Sequence, residues 1–228
     1  MKRVKWSKFK DIIFDPVPHT YRLNNEIFTS CTQFTGKFKN NIFTEQFISN
    51  FAKRENFSID YVKELWDLNK KFGTELGSLV HYYIEWFLKE GIKSKVNPKI
   101  QTEIDYFHKF LDDYKWLEPV QLEYIIYDKD LKIAGTIDAL FRDKENPDDY
   151  YIIDWKSNKT ISLKNNVNFK SPLSYLNQSD FNNYSLQLSL YKYILEKNLG
   201  INIKDTYLIH FNSSNNNYVN YNVSYLRK

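Results

Sequence analysis

The sequence predicts an α/β (α+β) chain in which a β-sheet is flanked by helices and preceded by a hairpin and short-helix extension. Three observations support this. Residues 135–156, GTIDALFRDKENPDDYYIIDWK, hold two runs of β-branched and aromatic residues around Asn146-Pro147-Asp148-Asp149, the signature of two antiparallel strands and their turn. Apolar residues recur at helical spacing from Ser58 to Lys89, from Lys99 to Tyr114 and from Tyr184 to Asn198. Near the start, DIIFDPVPHTYRLNNEIF reads as two short strands about Asn24-Asn25.

In chain order, Pro16 and Pro18 restrict the first strand to an edge, and His19, between a proline and a threonine, reads as a surface histidine. Thr29-Ser30 suit the cap of a short helix through Phe38, and Thr44 that of another reaching Arg54. Ile59, Val62, Leu65 and Trp66 form a core-facing stripe on a helix capped by Ser58. Gly73 is expected to break that helix, with Thr74 starting a second one that Gly91 closes. On the second, Gly77, His81 and Glu85 fall at four-residue steps and share a face. Pro98 opens the next helix, whose Ile104, Phe107, Phe110 and Leu111 face the sheet and whose His108 lies off that stripe, as an exposed residue would.

Val120 to Tyr127 and Leu131 onward read as a hairpin turning at Asp128-Lys129-Asp130, which makes three sequential antiparallel strands up to Lys156 and places Glu123 on the first. Residues 157–183 lack a period and suit a functional loop that covers or guides substrate. Leu186, Leu190, Ile194 and Leu195 give the following helix its core face, ended by Gly200, with Gln187 and Tyr191 one turn apart on another. Thr206 to Phe211 and Tyr218 to Tyr225 read as two last strands, with His210 on a strand face.

At 228 residues the chain can bury a substantial core as one domain, or as a compact core with an N-terminal elaboration. We expect an extension over residues 1–57 and a core over 58–228. With 42% hydrophobic and 18% aromatic residues the composition is globular, and no apolar run is long enough for a membrane span. Met1-Lys2-Arg3 is not followed by an apolar stretch and cleavage site, so no secretory signal is read and an intracellular location is expected. Cys31 is the only cysteine, which excludes an intrachain disulfide and any cluster ligated by several cysteines of this chain. The net charge of +4 is compatible with a polyanionic partner, though weak as a signal for one.

Chemistry concentrates on the central hairpin. Alternation puts Asp154 and Lys156 on one face and Trp155 on the other, with Asp138 of the partner strand within reach of both. Asp154 ends the apolar run Tyr150-Tyr151-Ile152-Ile153, so its charge needs a partner. Two close carboxylates are relieved by a raised pKa or by a divalent cation, and a structural Asp–Lys ion pair is the plainer alternative.

The ordered set Gly77-x-x-x-His81, Glu123, Gly135-Thr136-Ile137-Asp138, Asp154-Trp155-Lys156 and Gln187-x-x-x-Tyr191 resembles the RecB-like nuclease branch of the PD-(D/E)xK superfamily. The match runs from about Phe72 to Phe211, with Gly77-Ser78 and Ser157 standing where relatives often carry Gly-Thr and threonine. This resemblance implies a restriction-endonuclease-like core with a mixed central sheet. It also implies metal ligation by His81, Asp138, Asp154 and the Trp155 carbonyl, a water-positioning role for Lys156, and substrate contacts from Gln187, Tyr191 and the hydroxyl of Ser157. Glu123 completes a second metal site or holds a water in that reading. The implied cofactor is Mg2+ or Mn2+, which prefer hard oxygen ligands and tolerate an imidazole. The iron–sulfur cluster of some relatives has no ligands here, and no phosphate-binding loop of a helicase is found.

The expectation is a stand-alone, phage-type deoxyribonuclease acting on single-stranded DNA or DNA ends in replication, recombination or repair. A helicase, single-strand-binding or recombination protein would be its partner. Phe34, Phe169 and Tyr175 are candidates to stack unpaired bases, or to pack in the core. The rival readings are a structure-selective endonuclease of the same fold and a non-catalytic DNA-binding or assembly subunit.

Overall fold

The computed structural model describes residues 4–91 and 95–226; the basic Met1-Lys2-Arg3 start lies outside the described residues. After a 3-10 turn at Trp6–Phe9 come β1 (Ile13–Asp15), β2 (Thr20–Leu23) and β3 (Glu26–Ser30), one strand more than the sequence suggested. The β2–β3 turn needs two left-handed residues, and Asn24 and Asn25 supply them at φ 48° and 66°. Ser30 then caps α1 (Cys31–Gly36) in a capping box: its hydroxyl accepts the Gln33 N–H at 3.1 Å and the Gln33 side chain accepts the Ser30 N–H at 3.1 Å. Thr44 caps α2 (Glu45–Glu55) and Ser58 caps α3 (Ile59–Glu90), which ends at Gly91 with φ 66°.

The helix break expected at Gly73 does not occur: α3 runs 32 residues without interruption. A mid-helix glycine costs only about 1 kcal/mol against alanine, and the strong helix formers on both sides outweigh it. Thr74 is no cap, since its hydroxyl donates back to the Lys70 carbonyl at 2.9 Å within the helix. Beyond a 3-10 turn at Pro98–Ile100 follow α4 (Gln101–Asp113), β4 (Leu117–Asp128), β5 (Ile133–Asp143), β6 (Asp149–Lys156), α5 (Asp180–Leu199), β7 (Asn202–His210) and β8 (Val219–Asn222). β4 and β7 start earlier than expected and β8 is shorter.

The sheet is mixed. Its order is β1-β2-β3-β5-β6-β7-β8, with β4 paired along β5 from Leu117↔Asp143 to Asp128↔Ile133. Since β4 fills one edge of β5, the other edge is shared. β3 pairs there in parallel at Thr29↔Ile133 and Ser30↔Ala134, and β6 antiparallel from Ala139↔Ile153 to Arg142↔Tyr150. Residues 135–138 lie between these two pairings and belong to neither.

Helices cover both faces. α5 and the N-terminal strands bury Phe9, Tyr21, Phe28, Leu188 and Ile194 against Leu140, Ile152 and Leu208, so the N-terminal segment shares this core. On the other face α3 and α4 bury Val80, Ile84, Ile104, Phe107 and Phe110 against Phe141, Ile153, Trp155 and Phe211. The N-terminal half of α3 has a smaller core of its own with α2, built on Ile48, Ala52 and Val62. His108, expected to be exposed, is half-buried and hydrogen-bonded to Tyr83 Oη at 3.0 Å, because α3 packs over the side of α4 that local periodicity assigned to solvent. Among the described residues no helix is long and apolar enough to cross a membrane.

Candidate metal centre

The site forms where β5 and β6 part and α3 passes over them. Trp155 fixes this place. Its ring is buried among Phe107, Phe110, Phe141 and Phe211, at centroid distances of 6.0, 5.3, 6.3 and 5.7 Å. The peptide groups it holds still point into the site: its N–H donates to Asp138 Oδ2 at 2.9 Å, and its carbonyl accepts from His81 Nε2 at 3.0 Å and from Lys156 Nζ at 3.2 Å. Asp138 thereby bridges the stretch where the ladder between β5 and β6 has stopped.

His81 comes from α3, held by its buried neighbours Val80 and Ile84. With Nε2–H committed to Trp155, Nδ1 faces Asp138 Oδ2 at 3.7 Å and Glu123 Oε1 at 3.9 Å. Glu123 sits in β4 between Leu122↔Ala139 and Tyr124↔Ile137, hence opposite Asp138, and its φ is +45°. A left-handed conformation costs a residue with a Cβ about 1–2 kcal/mol, and such strain concentrates at functional sites. One donor atom each from His81, Glu123 and Asp138 lie within 4.8 Å of one another, a spacing that can hold a divalent metal. Burial pulls the His81 pKa down, but Asp138, Glu123 and Asp154 overcome it and push it up to about 9.

Asp154 is outside this triad. It is buried, and its Oδ2 takes the charge of Lys156 in an ion pair. Burial and the nearby Asp138 push Asp154 up, to about 6, although Lys156 and His81 oppose it. Burial works to lower Lys156, but Asp154 and Asp138 keep it raised, so it stays an ammonium at neutral pH. Its Nζ also lies 5.0 Å from the centre of the Tyr184 ring.

Comparison with known proteins adds little. No protein-family profile matches the chain, and no curated protein matches it. Solved structures similar to parts of it include two of low identity. One, described as "Putative exonuclease" from Eubacterium rectale, is 12% identical over 65% of this chain and 59% of its own, with a TM-score of 0.41. The other, SSO0001, is 14% identical over 66% and 65%, with a TM-score of 0.28. The chain thus spans less than two thirds of either, and at these scores neither likeness carries weight beside the geometry.

The remaining expected residues border the centre. Gln187 donates from Nε2 to Tyr191 Oη at 2.7 Å, and both line a cavity that also reaches Glu123. Tyr191 lies across Gly135, where an added Cβ would stand 2.5 Å from its Cε1 and 3.2 Å from Cys31 Sγ, so only glycine lets the ring cross there. Ser157 faces α3 at Gly77, where a Cβ would be 3.4 Å from its Oγ. Glu85 shares a shallow cavity with His81 and Glu123 and is ion-paired to Lys89.

Of the proposed stacking residues, Phe169 is buried and unavailable, Phe34 is half-buried and Tyr175 exposed. The loop expected over 157–183 ends at 179, because α5 starts at Asp180, and it is tied down rather than free: Asn40 and Gln178 exchange hydrogen bonds of 2.6 and 2.9 Å, and Ser162 bonds Asp180. His210 is buried and bonded to the Asn158 carbonyl at 2.6 Å. Sequence reasoning missed Tyr184 beside Lys156 and Thr136, whose hydroxyl is 3.0 Å from Tyr21 Oη. Neither residue type is unusual enough to signal such a place.

Proposed function

We propose that this chain is a divalent-metal-dependent deoxyribonuclease of the RecB-like, PD-(D/E)xK type, with its restriction-endonuclease-like core over residues 58–228 and an extension over 1–57. It acts from DNA ends and favours single strands, in the replication, recombination or repair of a phage or mobile element inside a cell. The observation that carries this is the convergence of His81 Nδ1, Glu123 and Asp138 within 4.8 Å, flanked by the Asp154–Lys156 pair. An imidazole with carboxylate oxygens suits Mg2+ or Mn2+, and Asp154 and the Trp155 carbonyl adjoin the same place.

His81, Glu123 and Asp138 would hold such a cation, which would supply Lewis acidity to the reaction. The protein's own groups do the rest. Asp138 is oriented by the Trp155 N–H. Lys156, kept charged by Asp154, offers a point charge to a phosphate without occupying a ligand position. Gln187 and Tyr191 brace the far side and meet the substrate there, with Ser157 beside the helix that carries His81.

End-labelled linear and circular DNA, single- and double-stranded, incubated with Mg2+, Mn2+ or EDTA tests the reading. Release of nucleotides from ends alone, abolished by EDTA, is the expected result. Cleavage of circles would make the chain a structure-selective endonuclease, and binding without hydrolysis would make it a DNA-binding or assembly subunit.

A further inference from the structure

Beside the metal centre, across Glu123, lies a cavity of about 470 Å³ whose outer wall is the N-terminal hairpin. The size falls in the range of about 300–1,000 Å³ usual for small-ligand sites. We propose that this cavity seats the nucleoside of the terminal nucleotide while its phosphate meets the metal centre; the proposal rests on the nuclease reading above.

The lining argues for that part of a nucleotide. Neither lysine nor arginine is among the described residues that line it, so it offers no partner to a phosphate. A phosphate would instead meet a cation held by His81, Glu123 and Asp138, and His81 lines the separate, shallow cavity that Glu123 also borders; Lys156, the nearby ammonium, is not among the residues lining the nucleoside cavity. The hairpin contributes an aromatic corner. Phe14 and Tyr21 lie 4.7 Å apart, and His19 meets Phe14 edge-on at 5.0 Å and Tyr21 at 6.3 Å. Such rings suit a base, whose faces stack on any aromatic surface.

Hydroxyls of Ser30, Thr32 and Thr136 and the Gln187 amide line the same space and can hydrogen-bond a sugar or a base edge. Tyr191, lying across Gly135, forms its floor. His19 is held at φ 50° on the exposed β1–β2 connection, a strained placement that the sequence reading as a bland surface histidine did not anticipate.

The test uses the full chain, 2′-deoxythymidine and Mn2+. In saturation-transfer NMR the nucleoside should receive saturation from the protein, and Phe14→Ala and His19→Gly should each weaken binding about tenfold. Glycine relieves the positive φ at 19, so that variant keeps its fold even if Phe14→Ala loosens the hairpin. Bound Mn2+ should broaden the nucleoside signals, because Glu123 borders both sites.

No transfer to the wild-type chain, equal affinity in His19→Gly, or absence of broadening with Mn2+ bound would overturn the proposal. Counting bound Mn2+ by EPR separates the two readings. Mn2+ bound without nucleoside removes the cavity's role and leaves the metal centre, whereas nucleoside bound without Mn2+ keeps the nucleoside site and removes the nuclease.

Discussion

His81 Nδ1 faces Asp138 Oδ2 at 3.7 Å while the opposite ring nitrogen is committed to the Trp155 carbonyl. Metal must therefore displace a proton from Nδ1. With the imidazole raised to about 9, Mn2+ affinity should climb about tenfold per pH unit up to that value. EPR titrations between pH 6 and 9 check this, and a flat profile would contradict it. The sign for stability follows from the same shift. A raised histidine stabilises the metal-free chain fully below its unfolded pKa of about 6.5 and ceases to do so as pH rises through 9. The metal-free melting temperature should fall over that window and vary less in His81→Gln.

Asp154 is buried and its ion-pair partner Lys156 half-buried, so stability and chemistry must be separated. Asp154→Ala removes the ion-pair partner of Lys156, leaving it the Trp155 carbonyl and the more distant Asp138, and should cost about 3–5 kcal/mol in urea unfolding. The double replacement Asp154→Asn with Lys156→Met should recover most of that stability. Hydrolysis should remain at least about 100-fold down in all of these variants. Activity that returned with the stability would reduce the pair to scaffolding.

Gly135→Ala drives a methyl group into Tyr191, at 2.5 Å from Cε1. Overpacking of this kind should cost about 1–3 kcal/mol and disturb the Gln187–Tyr191 hydrogen bond. In a Tyr191→Ala background the same change should cost much less. A double-mutant cycle with no coupling energy would show that the ring does not rest on that strand.

Gly73 has open space around its Cα and an ordinary helical position in α3. Gly73→Ala should therefore stabilise the chain by about 0.5–1 kcal/mol. Destabilisation would instead fit two helices meeting there.

The central strands were legible because two β-branched and aromatic runs flank a proline-containing turn over residues 133–156, and side chains along a strand alternate between its two faces. The same alternation correctly put Asp154 and Lys156 opposite Trp155. His81 could be placed by its spacing from Gly77. What stayed hidden depends on long-range geometry. Nothing local marks Thr29 and Ser30 as partners of Ile133 and Ala134, and no residue type announces that Glu123 adopts a positive φ. The union of Glu123 with His81 and Asp138, and the cavity behind it, exist only once those placements are made. Gly73 misled because its propensity penalty is small beside a helix of this length.

Trp155 turns its side chain away from the chemistry and its peptide groups toward it. The aromatic layer beneath the sheet consequently acts as the alignment datum for the whole centre: trimming Phe110 or Phe211, neither of which is itself a candidate ligand, would shift the pivot from which both Asp138 and His81 take their bearing. Tolerance to sequence change should accordingly be narrower in that distant layer than on the exposed rim of the cleft.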